Sequence, residues 1–193
     1  MTSLKGTKTR ENLLKAFAGE SQARNRYTFF ASVAKNEGYQ AIAAIFEETA
    51  NHEKEHAKRL FKFLEDGGNL EITASYPAGK IGTTIENLTA SMNGEKEETE
   101  EMYPEFAKTA KEEGFDEIAS VFLSIAKAEA YHQERYAELL KGVEGQDLLK
   151  KNHKVLWKCT NCGYHIMSES APMVCPACGH KQGYFVEVNE KLS

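Results

Sequence analysis

The strongest constraint on this chain is that it repeats itself. At an offset of 76 residues, Lys35, Glu37, Gly38, Ile42, Ala43, Phe46, Ala50, Glu53, His56, Arg59 and Leu64 return as Lys111, Glu113, Gly114, Ile118, Ala119, Phe122, Ala126, Glu129, His132, Arg135 and Leu140. Tyr27 and Phe30 return as Tyr103 and Phe106. Further upstream the offset is 75, where Asn12-Leu13 and Gly19-Glu20 match Asn87-Leu88 and Gly94-Glu95. Two tandem copies of one unit are expected to pack about a pseudo-twofold axis through a shared core.

Each copy reads as a helical hairpin. Four long segments carry apolar residues at helical spacing and end at glycines: 8–37 before Gly38, 40–66 before Gly67-Gly68, 83–113 before Gly114, and 116–141 before Gly142. Thr83 and Glu86 form a capping box at the third start. The first and last connections are too short for anything but antiparallel neighbours. The middle one, 69–82 with Pro77, is long enough to cross the bundle, which is the connectivity of ferritin-like four-helix bundles.

The inward faces of these helices are not wholly apolar. Steps of three and four along the second segment give Ile42, Phe46, Thr49, Glu53, His56, Leu60 and Phe63; along the fourth they give Ile118, Phe122, Ile125, Glu129, His132, Tyr136 and Leu139. The first offers Leu13, Phe17, Glu20 and Tyr27, and the third Ile85, Leu88, Met92, Glu95 and Met102. Every helix thus places a carboxylate at mid-length in the core. Four buried carboxylates would repel one another and lose their hydration unless cations joined them. Glu-x-x-His puts two ligands on adjacent turns of one face, and one Glu from each of two helices with Glu-x-x-His from the other two is the di-iron carboxylate pattern. Glu20, Glu95, Glu53 with His56, and Glu129 with His132 match it. Mixed carboxylate and imidazole ligands favour iron over zinc or magnesium, while manganese shares those preferences. Glu98, whose counterpart is Ala23, lies one turn from Glu95 and is a candidate seventh ligand; Tyr27 and Tyr103 are candidates to bring hydroxyls close to the metals. His52, His153, His165 and His180 have no such framework.

All four cysteines follow in a second, aromatic-rich segment. Cys159-x-x-Cys162-Gly and Cys175-Pro-x-Cys178-Gly are two knuckles that would each aim two thiolates at one point. Four thiolates suit zinc or a single iron, with Trp157, Tyr164, Tyr184 and Phe185 packed around them. A domain of this size is too small for an apolar core alone and would lean on its metal. The expected division is a bundle over 1–150 and a four-cysteine domain over 151–193.

With both halves in view, the chain resembles the rubrerythrin family over essentially its whole length. That resemblance implies bridging roles for Glu53 and Glu129, terminal roles for Glu20 and Glu95 on different irons, and exchange of Glu98 with His56 on one iron while His132 stays on the other. It implies a rubredoxin-like iron at Cys159, Cys162, Cys175 and Cys178, with zinc as a substitute. It also implies peroxide reduction at the di-iron site, electrons from rubredoxin or an NADH-dependent reductase, and a homodimer. The rival readings are a ferroxidase or iron-storage protein and a zinc-ribbon interaction protein.

Charge and hydropathy narrow the setting. A net charge of -5 and a pI of about 5.8 argue against a nucleic-acid binder. No apolar run is long enough for a membrane helix, and the polar residues 1–14 lack the apolar centre of a secretory signal, so a cytoplasmic protein is expected.

Overall fold

The computed structural model describes residues 3–64 and 67–188. Helix α1 spans Lys8–Asn36 and α2 Gln40–Lys62; α3 (Thr84–Glu97), a π-helical turn (Glu98–Met102) and α4 (Tyr103–Glu112) form the third rod, and α5 spans Asp116–Glu144. The α1–α2 and α4–α5 turns are the same structure twice. Gly38 (φ 93°) and Gly114 (φ 82°) take the left-handed conformation, and the following N–H groups of Tyr39 and Phe115 reach back to Ala34 and Ala110, each at 2.8 Å. This closes the carbonyls that a helix end leaves open.

Each hairpin also completes the other. The Glu37 carboxylate, in the first turn, accepts from Thr84 N at the start of α3 (3.1 Å). Glu113, its repeat counterpart, accepts from Lys8 N (3.0 Å), Thr9 N (2.8 Å) and Thr9 Oγ1 (2.6 Å) at the start of α1. A carboxylate at a helix N-terminus satisfies free N–H groups and opposes the helix dipole. The expected capping box is present, with Thr83 Oγ1 accepting from Glu86 N and Glu86 Oε2 from Thr83 N.

The third rod differs from the single helix expected. Its π turn lies between Glu95 and Tyr103, where the repeat offset changes from 75 to 76. The wide turn takes up the one surplus residue, so Tyr103 returns to the register of Tyr27. Pro104, which has no N–H to donate to the Glu100 carbonyl, falls where that bond is already lost. The fourth helix runs past its expected stop. Gly142 is buried in α5, and a Cβ there would lie 3.2 Å from Leu148 Cδ1; its bareness serves the returning chain, and Gly145 ends the helix instead. The second helix ends at Lys62 with Phe63 at its cap, and residues 65–66 of its expected tail lie outside the described residues. Ile85 is exposed, because the inward face of α3 runs through Thr84, Leu88, Ser91 and Glu95.

Two apolar clusters sit at the ends of the bundle and leave a polar layer between them. Tyr27, Phe30, Ile42, Phe46, Leu88 and Tyr136 fill one end; Leu13, Leu60, Tyr103, Ile118, Phe122 and Ile125 fill the other. The repeat is visible in the rings, since Phe30–Phe46 and Phe106–Phe122 meet edge-on with centroids 5.8 and 5.7 Å apart. Each fully buried aromatic or aliphatic side chain contributes about 1.5–3 kcal/mol, which lets the ends carry the cost of the polar middle.

The C-terminal segment forms an antiparallel sheet in the order β2-β1-β3, with β1 Lys150–Cys159, β2 His165–Ser170 and β3 Phe185–Glu187. Trp157 is fully buried and donates from Nε1 to the Ser168 carbonyl (3.0 Å). It packs with Val155, Ala171, Cys175 and Phe185, with Tyr164 and Tyr184 at the edge. No helix among the described residues is long and apolar enough to cross a membrane.

Candidate metal centres

The polar layer resolves into two groups of ligand atoms. Glu20, Glu53, His56 and Glu129 present atoms that all lie within 4.8 Å of one another, and so do Glu53, Glu95, Glu129 and His132. Glu53 and Glu129 belong to both groups. Nδ1 of His56 lies 3.0 Å from Glu53 Oε2 and 2.9 Å from Glu129 Oε1; Nδ1 of His132 lies 3.3 Å from Glu53 Oε1 and 2.7 Å from Glu129 Oε2. Helical spacing alone produces this: Glu and His three residues apart on α2 and on α5 face the same layer from opposite hairpins.

The tyrosines cross between the copies. Tyr27 donates to Glu95 Oε1 (2.5 Å) and Tyr103 donates to Glu20 Oε1, so each hairpin's tyrosine holds the other's carboxylate. Both hydroxyls are buried, and burial followed by the facing carboxylate pushes their acidity far out of reach, which keeps them donors.

The donor set fits a pair of cations. Glu53 Oε1, Glu95 Oε2, both oxygens of Glu129 and Nδ1 of His132 are buried without a well-directed hydrogen bond, although their neighbours stand close. They belong to the group whose atoms all lie within 4.8 Å of one another, as the ligands of one cation would. In the metal-free chain burial, then neighbouring carboxylates such as Glu129, push Glu20 well above the usual range, and burial likewise raises Glu95. Burial would lower both imidazoles, but the carboxylates of Glu129 and Glu53 beside them outweigh it and hold His56 at about 9 and His132 at about 12. Protons thus stand in for the positive charge that four carboxylates require.

Glu98 lies outside both groups. It opens the π turn and lines a cavity of about 270 Å³ with Lys15, Gln22, Arg26, Tyr76 and Met102, beneath the crossover segment. Burial and then the Glu95 and Glu129 charges raise its acid, while Arg26 pulls the other way. His56, not Glu98, completes the first ligand group.

The cysteine knuckles are also two copies of one geometry. Gly163 (φ 78°) and Gly179 (φ 74°) turn the chain, each donating to the carbonyl of the knuckle's first cysteine at 2.9 Å. All four sulfurs lie within 4.8 Å of one another, with Cys159–Cys178 at 3.8 Å and Cys162–Cys175 at 3.7 Å. A tetrahedron with metal–sulfur bonds of about 2.3 Å has edges of about 3.8 Å, whereas a disulfide is about 2.05 Å. The backbone N–H of His180 points to Cys178 and holds that thiol low, at about 6.

One residue set aside by sequence reasoning belongs to the bundle site. His52 stacks on His132, with centroids 5.3 Å apart and planes 9° apart, and its Nδ1 lies 3.1 Å from His132 Nε2. Its place directly before Glu53 was the available signal. Among the other histidines set aside, His180 packs edge-on against Tyr184 beside the cysteines.

Comparison with known proteins gives two family models in the same order as these sites: "Rubrerythrin" over residues 11–140 and "Rubrerythrin, rubredoxin-like domain" over 157–186. The chain is 62% identical to rubrerythrin of Porphyromonas gingivalis over 183 residues, covering 95% of this chain and 91% of that one. It is 52% identical to rubrerythrin of Nitratidesulfovibrio vulgaris over 185 residues, covering 96% of each. Among solved structures, the fully reduced, all-ferrous state of nigerythrin superposes with a TM-score of 0.63 at 31% identity, covering 97% of this chain and 92% of that one.

Proposed function

The chain belongs to the rubrerythrin family, and from that premise we propose that it reduces hydrogen peroxide to water at a di-iron centre in its bundle, refilled with electrons through one iron at its four cysteines. The observation that carries the proposal is the pair of ligand groups sharing Glu53 and Glu129, in the same chain as a four-thiolate site of tetrahedral size. Two ferrous ions held there would supply the two electrons that cleavage of the O–O bond consumes. Zinc at the cysteines would hold the small domain together yet carry no electron.

In this reading Glu53 and Glu129, which belong to both ligand groups, would be held in common by the two metals, Glu20 and Glu95 would each serve one and be steadied by Tyr103 and Tyr27, and His56 and His132 would supply one imidazole to each. The family resemblance implies that Glu98 and His56 would exchange as ligands of one metal. At the start of the π turn Glu98 stands where the first hairpin has Ala23, and it lines the cavity through which a small polar substrate would enter. Its carboxylate oxygens are where a proton would pass between that cavity and the centre. We assign residues 1–150 to the catalytic bundle and 151–193 to the relay domain, in a cytoplasmic homodimer that draws on rubredoxin or an NADH-dependent reductase.

The test is an anaerobic stopped-flow mix of the fully reduced, iron-loaded protein with hydrogen peroxide, following the visible absorption of the thiolate-bound iron. Rapid reoxidation that consumes peroxide, repeatable after a reductant is added, is the expected result. A colourless protein, or iron that ignores peroxide, would move the assignment to iron storage or to a zinc-stabilised binding role.

A further inference from the structure

The repeat equates His56 with His132, yet the two imidazoles are held differently. His132 is almost wholly buried (2% side-chain exposure) and its outer nitrogen, Nε2, faces His52 Nδ1 at 3.1 Å, with the rings stacked. His56 is 18% exposed, and among the described residues no hydrogen bond reaches its Nε2. The copies differ at the residue before each shared glutamate. His52 precedes Glu53 on α2, and the residue preceding Glu129 on α5 is Ala128.

We infer that His52 is the positioning residue that locks His132 to its metal, and that Ala128, by supplying no such partner, leaves His56 free to leave its own. This rests on the di-iron reading and deepens it, by locating the asymmetry of ligand exchange in one pair of outer residues. With a metal on His132 Nδ1, its remaining proton must sit on Nε2, so His132 donates and His52 Nδ1 accepts. That bond fixes the ring plane and raises the basicity of the metal-bound nitrogen. Loss of such an outer partner typically costs ten- to a hundredfold in metal affinity. Among the described residues the His56 ring has no such outer partner, which is what a side chain that must swing away requires.

The inference is tested on the full-length, diferrous protein by proton NMR of the hyperfine-shifted imidazole N–H signals, together with the rate at which a chelator removes iron from the bundle. The wild type should show one N–H that exchanges slowly with solvent and one that exchanges fast. His52→Leu should make both fast and speed release of one of the two bundle irons about tenfold or more, leaving the cysteine-bound iron unaffected as an internal control. His52→Gln, whose side-chain oxygen can accept the same proton, should restore the slow signal. Ala128→His should slow the second signal as well. Two wild-type signals with equal exchange, or a slow signal that survives His52→Leu, would overturn the lock. Absence of any hyperfine-shifted imidazole signal from a protein that holds iron only at its cysteines would instead remove the di-iron reading, and the lock with it.

Discussion

Both metal centres are built by repetition, but they treat their symmetry differently. The two knuckles around the four cysteines match down to the glycine conformation and the 2.9 Å bond across each turn. The two bundle hairpins match in ligands, tyrosines, turn glycines and capping carboxylates, yet depart from each other at the π turn with Glu98 and at His52 against Ala128. A centre that only passes electrons gains from a ligand shell that stays put. On the proposed function, a centre that must bind, reduce and release a substrate needs a side that yields, and both departures lie beside ligands of that centre.

The comparison breaks most completely at the shared ligands. Glu129→Ala removes an arm of both ligand groups, so metal analysis should find the bundle without its iron pair and peroxide consumption absent, with the cysteine-bound iron retained. Cys178→Ala should cut the other way: turnover driven by an external donor is lost, while a chemically reduced bundle still consumes peroxide once. Undiminished donor-driven turnover would remove the relay role. Glu98→Ala sharpens the asymmetry within the bundle. Circular dichroism and melting should be unchanged while peroxide turnover slows about tenfold or more, and unchanged kinetics would end the exchange proposal.

The metal-free and metal-loaded proteins should respond oppositely to pH. Without metal, Glu20, Glu95, Glu98, His56 and His132 all have pKa values raised above their unfolded ones, so the folded state binds more protons than the unfolded one. Their stabilising effect is full below the unfolded values and is lost as pH rises through the folded ones, so the melting temperature of the metal-free protein should fall between about pH 5 and 9. Bound metal displaces those protons, and the loaded protein should not lose stability over that interval. A metal-free protein that melts higher at pH 9 than at pH 6 would contradict the assignment of charge in this layer. The smallest effect tests the two caps. Glu113 accepts three hydrogen bonds and Glu37 one, so Glu113→Ala should cost about 1–2 kcal/mol, a few degrees of melting temperature, and Glu37→Ala less.

The bundle was legible in the sequence because helical period, turn glycines and the repeat all speak at short range. Glu53 and His56 declare themselves three residues apart in an apolar seam, and Glu129 and His132 repeat the statement. Gly142 was misread because a glycine late in a helix can end it or let another side chain lie against it, and only the path of Leu148 decides. The π turn was present as a change of offset, but a one-residue surplus fits equally well in a loop until the helix on both sides is seen to continue. His52 had only its place before Glu53 to mark it, because its partner is on another helix, 80 residues away, and stacking leaves no periodic trace.

The exchanged caps, in which Glu37 closes α3 and Glu113 closes α1, make the bundle the equivalent of a two-subunit assembly written into one polypeptide. Half of such a molecule is not a smaller version of it. A lone hairpin would have a helix start without its carboxylate, a ligand group without its full set of members and a tyrosine without the carboxylate it holds, and it could recover all three only by meeting a second copy. Cleavage within the crossover would therefore leave two fragments that still complement each other, and the order in which they are joined would matter less to the metals than that both are present.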